Sequence, residues 1–373
     1  MSDIKIKKVE TKSELNAFIK CQWNFYKNDP YWVPPLIMER KTLLSKEKNP
    51  FFQNASADYF LAFRNNEIVG RIAAIKNDLH LKYHEDNSGF FGFFECINDQ
   101  QVANALFDTA KKWLKEKGLT RMLGPANPSS NDEWAMPLEG FDDPPRLLMT
   151  YNPKYYLELC TNYGMTKAKD LLAYKLENHK VMGSEKLKRV QQIARDRYKL
   201  KINSLDMKNF AKELEKVKVV YNKAWAPNWG FIPMTDAQID AMAKELKQIV
   251  EPSLVLFGEI DNQVIGFALV MLDYNYIFKQ MNGRLLPFNF IKLFTQKKNI
   301  KWARIITLGL VPEHQKKGLD AVFYWEIVNR AHAVGIDLGE ASWILEDNEM
   351  MNRGAVVMGG DPYKKYRVWQ VDL

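Results

Sequence analysis

Cysteine is scarce. The 373 residues contain only Cys21, Cys96 and Cys160, far apart and without a nearby histidine. An odd, scattered set supplies no disulfide framework and no structural zinc spacing, and an unpaired cysteine is not an activated nucleophile. Long apolar runs are missing too, since nothing approaches the roughly 20 residues of a spanning helix. The opening MSDIKIKKVETKSEL lacks the hydrophobic region of a secretion signal. Together these absences lead us to expect a reduced, cytoplasmic protein with no membrane span and no metal. Charged residues, at 26%, match the globular norm and exclude wholesale disorder.

What is present is enough apolar material for two cores, with 46% hydrophobic and 13% aromatic residues. The net charge of +8 suits an anionic ligand and is weak evidence for nucleic acid. Periodicity gives two runs of elements in nearly the same order. The first has strands at 4–9, 59–64, 68–76, 90–97, 121–123 and 170–176, with helices at 13–26, 101–117 and 154–163. The second has strands at 200–205, 254–259, 264–272, 305–311, 341–345 and 366–371, with helices at 210–223, 236–250, 319–334 and 350–358. No residue-level repeat accompanies this duplication, and the polar stretch Glu177–Lys186 marks the expected boundary.

The stretch Val311–Val328, VPEHQKKGLDAVFYWEIV, reads as a strand, a glycine-bearing basic turn and a helix. A helix N-terminus leaves amides unpaired at the positive end of its dipole, and a glycine there lets backbone approach an anion. His314, Lys316 and Lys317 add positive character. The bland reading is a tight turn with solvated lysines.

The run Gln-Lys-Lys-Gly-Leu-Asp, between its strand and helix, resembles the acetyl-CoA signature of the GNAT family of N-acetyltransferases, (Arg/Gln)-x-x-Gly-x-(Gly/Ala). Gln315 and Gly318 match; Asp320 replaces the last small residue, with Ala321 next. The resemblance implies an α/β fold of two GNAT-like halves, each a mixed, mostly antiparallel sheet flanked by helices. It implies acetyl-CoA or another acyl-CoA as co-substrate, held by Leu310, Val311, His314, Gln315, Lys316, Lys317, Gly318 and Leu319, with Val311 and Gly318 as backbone donors. Asn348 and Asn352 stand where the family carries an asparagine near CoA, whereas Met358 lies near the position of its late-helix tyrosine acid. We therefore expect residues 188–373 to form the acyl-CoA-binding domain.

Residues 1–178 are expected to form a degenerate GNAT-like domain with a structural or acceptor-shaping role. Their equivalent junction, Phe94–Gln101, has neither glycine nor lysine, and Asp99 or Asn98 would cap the helix and occupy the anion position. The loop Gly124–Pro145 either lines a cleft with Asn131, Asp132, Trp134 and Phe141 or packs as an ordered connection. Asp273–Trp302 interleaves aromatics with six Lys/Arg residues. It is read first as a lid over the acceptor, and otherwise as an amphipathic helix burying Phe288, Phe290, Leu293 and Phe294, or as a membrane or nucleic-acid contact.

Acylation of an amine needs a base for the amine proton and an acid for the leaving thiolate. Glu340 and Glu346 flank the strand 341–345, where even spacing puts both carboxylates on one face. Tyr363 and Tyr366 are the candidate acids, with Tyr366 placed beside the two glutamates in the expected catalytic set. The expected reaction is direct acyl transfer from CoA to a small-molecule or peptide amine, without DNA. Two alternatives stand beside it: an aminoacyl-tRNA-dependent transferase of the same duplicated fold, and a CoA-binding protein without catalysis.

Overall fold

The computed structural model describes residues 3–373. Contacts divide the chain into two units. One holds the chain up to Asp170 with Phe278–Phe290 and Lys365–Leu373; the other holds Leu171–Ile277 and Ile291–Lys364.

The first unit is built on strands β1 (Lys5–Lys8), β2 (Ala55–Arg64), β3 (Glu67–Asn77), β4 (Ser88–Cys96) and β5 (Arg121–Gly124). Smaller strands β6 (Ala126–Asn127), β7 (Glu133–Trp134) and β8 (Met136–Glu139) follow. Asn65 and Asn66, at φ 51° and 65°, make the two-residue hairpin turn between β2 and β3. All neighbours in this sheet are antiparallel except β4 and β5. A parallel pair needs a crossover, and the helix Gln100–Lys115 provides it. Val102, Ala103, Leu106, Phe107, Ala110 and Leu114 bury that helix's apolar stripe, and Asp99 caps it by accepting the amides of Gln101 and Val102 at 2.9 and 3.2 Å.

The second unit repeats the scheme with β9 (Thr166–Glu177, from Leu171 onward), β10 (Lys201–Ser204), β11 (Val255–Ile260), β12 (Gln263–Leu272), β13 (Trp302–Leu310) and β14 (Leu338–Leu345). Asp261 and Asn262, at φ 49° and 64°, form the matching hairpin turn. The single parallel pair is β13 with β14, joined by the helix Asp320–Ala333. Phe323 of that helix is fully buried over Gly258, where an added Cβ would come within 2.6 Å of its ring.

The last strand, β15 (Asp361–Asp372), contributes Lys365–Asp372 to the first unit, pairing with β5 and β8. Leu171–Glu177 of β9 closes the second unit's sheet against β14. Each unit thus takes its closing strand from the end of the other half of the sequence, an exchange that one cut through the chain does not describe.

Both parallel pairs stop early. β13 and β14 are in register only from Trp302↔Leu338 to Ile305↔Ala341. Ahead of the parting, β13 carries a register shift against β12, so that Val270 faces Ile305 but Leu269 faces Thr307. A bulge of this kind bends a strand away from its neighbour. β4 and β5 pair only from Ser88↔Arg121 to Phe90↔Leu123, and Phe93 sits at φ 49° beyond.

In the first unit the chain itself fills this fork. Asn127 Oδ1 accepts the Phe93 amide at 2.6 Å, and a Cβ at Gly92 would lie 1.8 Å from the Ala126 carbonyl oxygen. Asn127→Ala is expected to cost about 1–3 kcal/mol in urea unfolding, because the Phe93 amide loses its partner; an unchanged midpoint would contradict this. Beside the fork, buried Glu95 accepts from Gln22, Tyr26 and Tyr156 at 2.7, 2.7 and 2.8 Å, with Arg71 at 3.4 Å. Burial pushes its carboxyl above the usual range, against the pull of Arg71.

The loop 124–145 is ordered, with Trp134 buried 5.9 Å from the Phe90 ring and Asp132 accepting from the Ser129 hydroxyl at 2.7 Å. Burial, aided by Glu133, pushes Asp132 from its ordinary 3.8 up to about 7. The protonated form therefore contributes stability that is fully present below about pH 4 and is lost as pH rises towards 7. Asp132→Asn should raise Tm at pH 8 and leave it unchanged near pH 4. A shift that is the same at both pH values would contradict this assignment.

Candidate functional site

The fork of the second unit is open to backbone chemistry. The Val311 amide donates to the Ile265 carbonyl at 2.9 Å. Strand alternation then directs the amides of Leu310 and Leu308 to the other edge of β13, where β14 no longer pairs. Val311 is therefore not the free donor expected from sequence, because its amide completes the β12 ladder; the fork donors are Leu308 and Leu310. Two buried polar atoms at the fork, Thr307 Oγ1 and Trp343 Nε1, have no hydrogen-bond partner among the described residues.

After β13 the chain makes a short turn, Pro312–His314, and then enters the basic loop. Lys316 and Gly318 both sit in the left-handed region, at φ 59° and 73°. The next helix begins after Leu319, whose side chain makes no capping hydrogen bond. The amides of Lys316 through Leu319 make no backbone hydrogen bond, so the loop presents consecutive donors at a positive dipole end. An added Cβ at Gly318 meets nothing closer than Val190 Cγ1, at 4.0 Å. Lys316 and Lys317 are exposed, with Lys317 Nζ 5.9 Å from the Tyr198 ring centre.

Gln315 works differently from its neighbours. Its Nε2 donates to the Leu310 carbonyl at 2.9 Å, tying the loop to the strand end. His314 lines a cavity of about 640 Å³ with Lys212, Lys216 and Val311. Asp320 turns its carboxylate onto its own and the Ala321 amides and the Tyr324 hydroxyl, while burial pushes its pKa above the usual range. Asn348 caps the helix Glu349–Val357 by accepting the Met351 amide at 3.2 Å. Asn352 donates to the Leu345 carbonyl and accepts from the Tyr174 hydroxyl, both at 3.0 Å, which fixes the end of β14.

A buried polar cluster sits where β13 and β14 part. Arg304 and Glu340 face each other in register and are 2% and 0% exposed, with Nε and Oε1 3.9 Å apart. Arg304 Nε donates to the Ser342 hydroxyl at 2.9 Å, and that hydroxyl donates to Glu340 Oε1 at 2.6 Å. Half-buried Tyr363 donates to Glu340 Oε2 and stacks on Trp302 at 6.3 Å. Arg304 opposes Met271 and Thr307 opposes Leu269, so both share the sheet face of Phe267, against which Trp225 packs. The cluster can pass a proton between the half-buried tyrosine and a carboxylate held by a guanidinium and a hydroxyl.

Glu346 does not join it. The register of β14 against β9 shifts between Ala341 and Ile344, which breaks the even parity, and Glu346 lies beyond the strand end. Tyr366 is buried in the first unit opposite Pro137, while Glu340 and its partner Tyr363 belong to the second. The sequence reading missed Arg304, Ser342 and Thr307. A charged residue inside the apolar run WARIITLGL was the available sign of Arg304; Ser342 and Thr307 left none.

Among the described residues no cluster of His, Cys, Asp or Glu is arranged to hold a metal ion, and no helix is long and apolar enough to cross a membrane.

No family model matches the chain. Among solved structures it is similar over 99% of its length to a tandem GNAT protein from the clavulanic acid biosynthesis pathway, 98% of which is covered, with TM-score 0.57 and 11% identity. It is also similar to a GCN5-related N-acetyltransferase from Sphaerobacter thermophilus, covering 99% and 95% of the two chains with TM-score 0.51 and 9% identity. These likenesses show the fold: a tandem GNAT architecture with mixed, mostly antiparallel sheets flanked by helices. In sequence it is 35% identical to the bacterial ceramide synthase of Caulobacter vibrioides, over 100% of this chain and 98% of that one. It is 32% identical to protein YghO of Escherichia coli, over 97% and 94%. The chain therefore belongs to the family that includes the Caulobacter bacterial ceramide synthase and YghO, on a tandem GNAT fold.

Proposed function

We propose that this protein is an N-acyltransferase that moves an acyl group from acyl-CoA to the amine of a long-chain amino alcohol. The observation that carries the donor half is the loop Lys316–Leu319, four consecutive amides at a helix start with no partner among backbone carbonyls. Pyrophosphate fits such a seat. The acceptor half follows the 35% identical relative, whose name denotes an N-acylated lipid. The second unit, Leu171–Ile277 with Ile291–Lys364, is the donor-binding unit in this reading, and the first, with its self-filled fork, is structural or acceptor-shaping.

The amine nitrogen attacks the thioester carbonyl; the C–N bond forms, the C–S bond breaks, and the thiolate leaves with a proton. Leu308 and Leu310 direct amides into the fork, where they would steady the carbonyl oxygen as charge builds on it. Thr307 supplies a hydroxyl on the sheet face that it shares with Arg304. Tyr363 takes the amine proton while its own passes to Glu340, whose charge Arg304 balances and whose Oε1 the Ser342 hydroxyl holds, and the same path returns that proton to the departing thiolate. Gln315 holds the loop to the strand end so that both donor groups keep their spacing.

CoA release followed with a thiol reagent tests the reading. Release should need a long-chain amino alcohol, and the product should be the amide by mass. Release with aminoacyl-tRNA but no amine would favour the tRNA-dependent alternative. Tight CoA binding without release across a panel of amines would favour a binding protein.

A further inference from the structure

The stretch Arg284–Lys301 is not used by the reading above. Leu286, Phe288 and Phe294 expose 57%, 74% and 73% of their surfaces, and Phe290 and Ile291 are also exposed. The amphipathic helix that would bury Phe288 and Phe294 is therefore not what forms. Single apolar residues on a surface are ordinary, but five within the nine positions 286–294 are a concentrated patch. The chain is folded to present them. Asn289 Nδ2 donates to the Arg284 carbonyl at 2.8 Å and the Phe290 amide to the Leu285 carbonyl at 2.9 Å, closing a loop with Leu286–Phe288 at its tip. A helical turn, Ile291–Thr295, follows.

Charge accompanies the patch. Residues 274–302 contain six Lys/Arg (Lys279, Arg284, Lys292, Lys297, Lys298, Lys301) and no Asp or Glu. Lys297 pairs with Glu251 at 2.8 Å, whereas Arg284, Lys298 and Lys301 are exposed and form no ion pair among the described residues. Nucleic-acid platforms stack bases on aromatic faces along a groove, and Leu286 and Ile291 have no such face. Protein interfaces are depleted of lysine at their cores. A bilayer surface asks for both features at once: aromatic and aliphatic side chains for the headgroup boundary, and Lys/Arg for lipid phosphates.

We propose that the loop of this segment in the first unit docks the protein on an anionic lipid surface, with Leu286 and Phe288 at its tip entering the headgroup boundary and Arg284 at its base meeting a lipid phosphate. Docking of this kind needs neither acyl-CoA nor acceptor, so it stands or falls apart from the catalytic reading.

Co-sedimentation of the full chain with phosphatidylcholine vesicles, with and without phosphatidylglycerol, tests it. Binding should require phosphatidylglycerol and weaken at high salt. Leu286→Asp with Phe288→Asp should weaken it by about 100-fold, with the urea midpoint and CoA affinity unchanged. Equal binding to both vesicle types, no binding to either, or full binding by the doubly substituted chain would overturn the proposal. So would a concentration-dependent dimer abolished by the same two substitutions, which would make the patch a protein interface.

Discussion

Gly318→Glu is expected to weaken acyl-CoA binding by at least roughly 100-fold, about 2.7 kcal/mol, in a calorimetric titration. Two effects combine. At φ 73° any side chain carries strain, of about 1–2 kcal/mol for an L-residue. The carboxylate then enters the seat that the amides of Lys316–Leu319 would give to pyrophosphate, and opposes it at short range. Space is not the issue, because the nearest atom to an added Cβ is Val190 Cγ1 at 4.0 Å. Gly318→Ala separates the two effects: it should lose about 1 kcal/mol of stability and keep most of its affinity. If the glutamate variant binds acyl-CoA like the parent, the loop is not the phosphate seat.

The second large effect is expected at the cluster. Glu340→Ala removes the buried carboxylate that faces Arg304, which is 2% exposed, and breaking a buried pair in this way costs about 3–5 kcal/mol. Glu340→Gln keeps the volume and one acceptor, so it should fold. Its turnover is expected to fall by about 100-fold or more, with acyl-CoA affinity unchanged, because the amide cannot take the proton. Tyr363→Phe removes the hydroxyl that reaches Glu340 and should fall similarly. Near-parental turnover in both would remove this cluster from the chemistry.

Much of the frame was legible in the sequence because it depends on local signals. Asn65–Asn66 and Asp261–Asn262 mark hairpins through their tolerance of positive φ. Asp99 announces its helix by the side chain it offers to the first amides, and Gly318 with its lysines marks the basic loop. The rest depends on which strand lies beside which. The closing strands formed by Lys365–Asp372 and Leu171–Glu177 have the same alternation wherever they pair, so periodicity cannot reveal their exchange. The bulge between Thr307 and Ile305 decides that Thr307 shares a face with Arg304, and nothing in WARIITLGL spells it out. The shift between Ala341 and Ile344 separates Glu346 from Glu340 despite their even spacing. Asn127 shows the same limit: in sequence it is an asparagine in a proline-rich loop, and only the fold brings its carbonyl to the Phe93 amide.

The two forks differ in what fills them. One is filled by Gly124–Asn127 of its own chain; the other presents amides with no neighbouring strand. A CoA complex determined by crystallography measures this directly. One CoA per chain is expected, with its pyrophosphate on the amides of Lys316–Leu319 and its pantetheine arm along Leu308 and Leu310. A CoA seated in the first unit's fork, or a pyrophosphate away from that loop, would contradict it.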